Sequence, residues 1–265
     1  MAPAEVRNAA SDALSKVPQV TLIFWLVKIC ATTVGETGGD ALSMSLNLGY
    51  AVSTLIFLAF FVVALAVQLT TKRYHPWIYW MVVVATTTVG TTTSDFLDRT
   101  AGLGYVKSTA VELAAVIAML AIWRFATGRL SFDHITDRKN EAFYWVTILI
   151  SNTLGTALGD FTADDDGGGL GLGFETGALI FVALLGVVIV ARYATKVPRA
   201  VLFWAAYVLT RPLGATLGDT LTKPIAIGGL NLDRFAATAA IGAAMVAILV
   251  ASHLRRKPAP GEALP

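Results

Sequence analysis

Charge is scarce in this 265-residue chain, where Asp, Glu, Lys and Arg together make up 14%. A soluble globular domain carries about 25%. The deficit excludes an ordinary soluble enzyme, a disordered chain and a nucleic-acid binder. Cysteine is almost missing: Cys30 stands alone in an apolar run, so no internal disulfide can form. Histidine is nearly missing too, and His75, His134 and His253 all fall in short polar segments. That excludes an intramembrane His/Cys metal centre, so any ion site must be built from oxygen. No Ser/His/Asp set or Cys–His pair is available for nucleophilic catalysis, and the chain reads as a non-enzyme.

What the chain has in abundance is apolar sequence, at 55% hydrophobic residues and a mean hydropathy of +0.67. A membrane-spanning helix needs about 20 apolar residues. Eight stretches qualify, roughly 19–43, 50–71, 77–98, 104–126, 141–163, 173–195, 199–221 and 230–253. The expected fold is an all-α polytopic membrane protein, one membrane domain over 1–265. The first apolar run is too long for a cleavable signal peptide. The net charge of +2 becomes informative once the charges are placed. Fourteen of the twenty Lys and Arg sit in alternate connections and at the two ends, for example Lys72-Arg73, Arg138-Lys139 and Arg255-Arg256-Lys257. The positive-inside rule makes that side cytoplasmic, with both termini on it.

The sequence repeats. Trp25, Trp80, Trp145 and Trp204 each precede an Asp by 15 residues, namely Asp40, Asp95, Asp160 and Asp219. Ten residues after each Trp comes a glycine: Gly35, Gly90, Gly155 and Gly214. After each Asp comes a glycine turn, such as Leu48-Gly49-Tyr50 or Leu103-Gly104-Tyr105, and then a plainer apolar helix. The unit is a helical hairpin used four times, over 17–71, 72–136, 137–196 and 197–256, with 257–265 expected as a flexible cytoplasmic tail. Each unit crosses twice, so all four share one orientation. The expectation is eight spans with pseudo-symmetry about the membrane normal.

Four tandem two-helix units, each with a Trp and a T-x-G-x-x-x-x-D-like signature, resemble a bacterial membrane family catalogued only as a repeat of unknown function. The resemblance covers about residues 17–256. It implies an eight-helix protein of the bacterial inner membrane and little about activity. Departures are Pro212, where the other repeats have Thr, and Glu36, found in the first repeat alone.

Counting back from each Asp along a helix picks out polar positions. Four residues back are Glu36, Thr91, Thr156 and Ala215; seven back are Thr33, Thr88, Thr153 and Pro212. Eight back are Thr32, Thr87, Asn152 and Arg211; three back are Thr37, Thr92, Ala157 and Thr216. Such a stripe cannot face lipid, so the odd helices should form an inner bundle and the even ones an outer wall. Four Asp with Glu36 then stand against two internal cations, Lys28 and Arg211, and Arg211 is placed to pair with Glu36 or a neighbouring Asp. The negative excess invites a bound hard divalent cation, with Asp40, Asp95, Asp160, Asp219 and Glu36 as metal ligands, or protons. Glu112 and Glu175 are candidate proton carriers. The four Trp read as interface anchors. Asp164-Asp165-Asp166-Gly167-Gly168-Gly169 lacks the ligand spacing of an EF-hand and reads as a solvated outer loop.

The function expected from this is transport or export of a hard cation, Mn²⁺ or Mg²⁺ favoured, with proton coupling an option. No covalent cofactor is implied. The partners are the lipid bilayer and a small inorganic ion, with no nucleic acid; the oligomeric state is left open. A cation channel, a carrier of a small organic or anionic solute recognised by Lys28 and Arg211, and a non-transporting sensor remain alternatives. So does a purely structural role for each Asp as a helix cap.

Overall fold

In the computed structural model every apolar run becomes a helix, and the description covers residues 15–128, 130, 135–165 and 168–255. The tail at 257–265 and part of the Asp164–Gly169 run lie outside those residues. The helices are α1 (Leu22–Asp40), α2 (Gly49–Thr70), α3 (Pro76–Asp95), α4 (Gly104–Thr127), α5 (Arg138–Ala163), α6 (Phe174–Ala194), α7 (Arg199–Thr222) and α8 (Arg234–Arg255). No strand occurs among the described residues. Six helices, α2 and α4 to α8, are long and apolar enough to cross a membrane. The other two, α1 and α3, are polar for a physical reason. The first holds Lys28, Glu36 and Asp40, and the second six threonines, and most of these side chains are buried inside the bundle.

Local chemistry sets the helix ends. Thr21 caps α1 by accepting from the Phe24 amide at 3.3 Å, and Asp137 caps α5 by accepting from the Asn140 amide at 2.9 Å. After Asp40 and Asp95 the winding loosens into π-helical turns, Ala41–Ser45 and Phe96–Thr100. Each is followed by a turn at positive φ, with Gly49 at 73° and Gly104 at 71°. Glycine adopts that conformation without the Cβ penalty.

The odd helices α1, α3, α5 and α7 pack in a closed ring, each against its two ring neighbours. The even helices do not lean mainly on their own hairpin partners. Instead α2 packs on α3, α4 on α5, α6 on α7, and α8 returns to α1. The outer helices leave broad apolar faces exposed, such as Leu55, Val63, Val111, Ile117, Leu179 and Val187. Such faces are suited to lipid.

Close approach in the ring uses two small residues per helix, Gly35/Gly39, Gly90/Ser94, Gly155/Gly159 and Gly214/Gly218. Thr87 lies against Gly35, Asn152 against Gly90, Arg211 against Gly155 and Thr32 against Gly214. One turn further on, Thr91 lies against Gly39, Ala215 against Gly159 and Glu36 against Gly218. This is small-xxx-small packing, with each helix laying its larger side chains on the glycines of the helix before it.

Candidate functional site

The residues four and eight before each Asp face the ring, and they meet at its centre. Arg211, fully buried, reaches from α7 to all three other ring helices. Its Nη2 donates to Glu36 Oε2 on α1 at 3.0 Å, to Thr156 Oγ1 on α5 at 2.6 Å, and to Thr91 on α3. The expected Arg211–Glu36 pair is therefore present. Thr91 Oγ1 also donates to Glu36 Oε2 at 3.3 Å. Towards the basic end, Lys28, also fully buried, donates across the ring to Asn152 Oδ1 at 3.3 Å. It lies 4.2 Å above the ring of Tyr207. Asn152 in turn donates to Thr86 Oγ1 at 2.9 Å. Side chains thus bridge both diagonals, α1 to α5 and α3 to α7.

The residues three and seven before each Asp do something else. Thr33, Thr88 and Thr153 return their hydroxyls to carbonyls of their own helices, those of Ile29, Val84 and Leu149. Thr37, Thr92 and Thr216 do likewise with Thr33, Thr88 and Pro212, and Thr37 also meets Thr238 of α8 at 2.7 Å. Thr88 lines an outward apolar groove with Val34 and Gly38. These threonines make no side-chain hydrogen bond to another ring helix, whereas Thr91 and Thr156 meet Arg211 and Thr32 and Thr87 bond to carbonyls of the neighbouring ring helix.

The four aspartates sit buried at the glycine-turn end, and their charge balance differs from the expected one. Lys223 Nζ lies 3.0 Å from Asp40 and 3.2 Å from Asp219. Arg99 lies 3.2 Å from Asp95 and 3.3 Å from Asp160, and Arg234 is 3.7 Å from Asp40. The central carboxylates Glu36, Asp40, Asp95, Asp160 and Asp219 thus meet four cations, Arg99, Arg211, Lys223 and Arg234, while Lys28 pairs with none of them and rests on Asn152 and Tyr207. In the sequence Arg99 and Lys223 count, with Lys107 and Arg234, among the few cations of the glycine-rich connections, where a cation reads as loop and not as a partner of the ring. The signal was there: each stands four residues after an Asp. Burial acts to lower the pKa of Lys223, but Asp219 and Asp40 outweigh it and hold the ammonium well above its ordinary value. Arg99 is raised in the same way, with burial opposed by Asp95 and Asp160. Both cations stay charged, and neither satisfies every oxygen. Asp40 Oδ1 and Asp95 Oδ2 are buried without a hydrogen-bond partner. One carboxylate oxygen each from Glu36, Asp40 and Asp219 falls within a mutual 4.8 Å, a set that could hold a hard cation if the Lys223 ammonium withdrew.

Above the aspartates lies a cavity of about 480 Å³ lined by Tyr50, Asp98, Arg99, Tyr105, Asp164 and Lys223 among others. Asp164 accepts from Tyr105 Oη at 3.1 Å, so this part of the expected solvated loop is cavity wall. The other end of the column is plugged. Phe24, Tyr79, Tyr144 and Phe203, the residues just before each Trp, interlock with the tryptophans, and Tyr79 and Tyr144 share a 2.6 Å hydrogen bond. Trp80, Trp145 and Trp204 are buried and Trp25 half-buried. They pack a plug inside the bundle instead of anchoring an interface. Below the plug, Lys16 closes a 2.7 Å ion pair with Glu141. Of the two proton-carrier candidates, Glu112 is buried and Glu175 is exposed.

Four copies of one sequence pattern, Repeat of Unknown Function (DUF347), match residues 23–74, 78–129, 143–197 and 202–258. The chain belongs to this family. Each copy of the family repeat holds one inner and one outer helix, so the repeat supplies one wall of the ring together with the outer cover of the next wall. No curated protein and no solved structure matches the chain.

Proposed function

We propose that this protein is an eight-span transporter of the bacterial inner membrane that carries a hard divalent cation, Mn²⁺ or Mg²⁺, through the centre of its helix ring. In this reading α1 and α3 also cross the membrane, shielded from lipid by the other six. The four hairpins are related by a pseudo-symmetry axis along the membrane normal, and both termini lie with the basic connections in the cytoplasm. The carrying observation is the polar column, which is open to a cavity above the aspartates and blocked by stacked aromatics below. A passive pore would need a polar path through both ends, whereas one open and one sealed end suit alternating access. The oxygen-only donors of Glu36, Asp40 and Asp219 suit a hard ion. Lys223 holds their place when no ion is there, and loading exchanges its ammonium for the cargo.

The test is Mn²⁺ flux in vesicles reconstituted with purified protein. The wild type should move Mn²⁺, and the Glu36→Gln/Asp40→Asn/Asp219→Asn variant should not. Lys223→Met, which frees two carboxylates, should tighten Mn²⁺ binding by roughly tenfold or more, as about 1.4 kcal/mol gives tenfold. Undiminished flux in the triple variant would overturn the assignment.

A further inference from the structure

Repeat 2 contains a second acidic place that the ring does not use. Glu112 lies on α4 eight residues after Gly104. It is only 5% exposed, and neither of its carboxylate oxygens has a hydrogen-bond partner among the described residues. Asp98, in the π-helical turn before α4, is equally buried; Ser94 reaches its Oδ2 at 3.4 Å, and its Oδ1 has no partner. Ser108, one helical turn before Glu112, is within reach of the Asp98 carboxylate.

The other repeats lack this pair. Where repeat 2 has Glu112, the same distance from the glycine turn gives Phe57 in repeat 1 and Phe181 in repeat 3. Where it has Asp98, three residues after the ring aspartate, they have Ser43, Ala163 and Thr222. A role in folding the hairpin would be met by phenylalanine, as it is in repeats 1 and 3. Carboxyls stand at both places in repeat 2 only, opposite Phe57 with Ser43 in repeat 1 and Phe181 with Ala163 in repeat 3, which is the pattern of an added function.

We infer that Asp98 and Glu112 form an off-axis proton-binding site that couples protonation to cation occupancy in the ring, an inference that rests on the transport reading for its coupling step. Asp98 lines the open cavity, so water there can hand it a proton, which passes to Glu112 and leaves by the same carboxyls. A charged Glu112 without a donor carries the full desolvation cost, and binding a proton removes it. The charges acting on Glu112 are Asp98 from the turn and Asp160 from α5, with Arg99 beside both and Tyr105 on its own helix. No cation pairs with it among the described residues. Asp160 in turn feels Arg99, Asp95, Glu36 and Lys223, which links Glu112 to the ring by charge. The sign follows: a deprotonated Glu112 favours a cation in the ring, and a protonated one disfavours it. The site therefore gives up its proton to the water facing the column as the ring loads, and takes one from the water on the opposite side when the column re-opens there and the ring empties, so that one proton moves against each cation carried.

Two measurements test this with Glu112→Gln and with Glu112→Phe, the residue that repeats 1 and 3 carry. In reconstituted vesicles both variants should keep Mn²⁺ flux down its own gradient and lose the acceleration that an opposing pH gradient gives the wild type. An unchanged pH response in both would overturn the inference. Infrared difference spectra of the purified protein between acid and alkaline buffer give a readout free of transport. A protonated-carboxyl band should be present in the wild type and missing in Glu112→Gln, and a band of undiminished size in that variant would overturn proton binding. If wild-type vesicles move no Mn²⁺ while the band behaves as expected, the cation reading fails and the proton site stands.

Discussion

Replacing Gly90 with alanine puts a methyl group where α3 and α5 touch. The new Cβ would stand 2.8 Å from the carbonyl carbon of Asn152, 3.0 Å from its Cβ and 3.0 Å from the Thr153 amide nitrogen. Carbon atoms rest about 3.5–4.0 Å apart. Two of these three atoms are backbone and cannot swing aside, so the helices must part by about 0.7 Å or more. Overpacking of this kind costs about 1–3 kcal/mol. Parting the helices also strains the 2.9 Å Asn152–Thr86 bond and the Asn152–Lys28 contact, worth about 1 kcal/mol each. Helix propensity returns up to about 1 kcal/mol for Gly→Ala. The expected balance is a loss of about 1–3 kcal/mol. Gly186 on α6 is the control, because a Cβ there meets nothing within 4 Å, and Gly186→Ala should be neutral or stabilising. Denaturant unfolding of both variants and wild type in one detergent measures the difference. Gly90→Ala as stable as Gly186→Ala would refute the packing account of the ring.

Arg211→Met strands a buried Glu36 and should cost about 3–5 kcal/mol; adding Glu36→Gln should recover most of it in the same unfolding assay. Tyr79→Phe leaves Tyr144 Oη without its partner and should cost about 1–3 kcal/mol, while Tyr79→Phe/Tyr144→Phe should cost less than twice that. The pKa of Lys223 is raised on folding from an ordinary value of 10.5. Its stabilisation is therefore fully present below 10.5 and is lost only as pH climbs through the higher folded value. Wild-type thermal stability should fall in that alkaline range, and Lys223→Met should lack this component of the fall.

The hairpin repeat, the inner ring of polar helices and the Arg211–Glu36 pair were legible in the sequence, because a 15-residue Trp–Asp offset repeated four times fixes a helical register. Which polar stripe faces the axis was not. The positions at −3/−7 and −4/−8 from the Asp lie side by side on a helix. Only the small residues at −1 and −5, such as Gly39 and Gly35, mark the face that touches the next helix, and it is the pair and not the single glycine that carries the signal. Arg99 and Lys223 were missed because their partners include an Asp on a different repeat, 61 and 183 residues away. The tryptophans misled because an aromatic near a helix end suits a plug as well as an interface. The Phe or Tyr before each one carried the better signal. Neither α1 nor α3 could be told from a marginal span by hydropathy, since their polarity is absorbed by neighbours that composition cannot show.

The outer helices are handed forward around the ring, and α8 lands on α1. No hairpin therefore completes its own cover, and the last helix finishes the environment of the first. During synthesis the outer face of α1 stays uncovered until α8 is made. The two ends of the bundle are also brought side by side. A circular permutant that joins α8 to α1 through a short linker, and opens the chain in the basic connection between α4 and α5, would keep every helix pair in place.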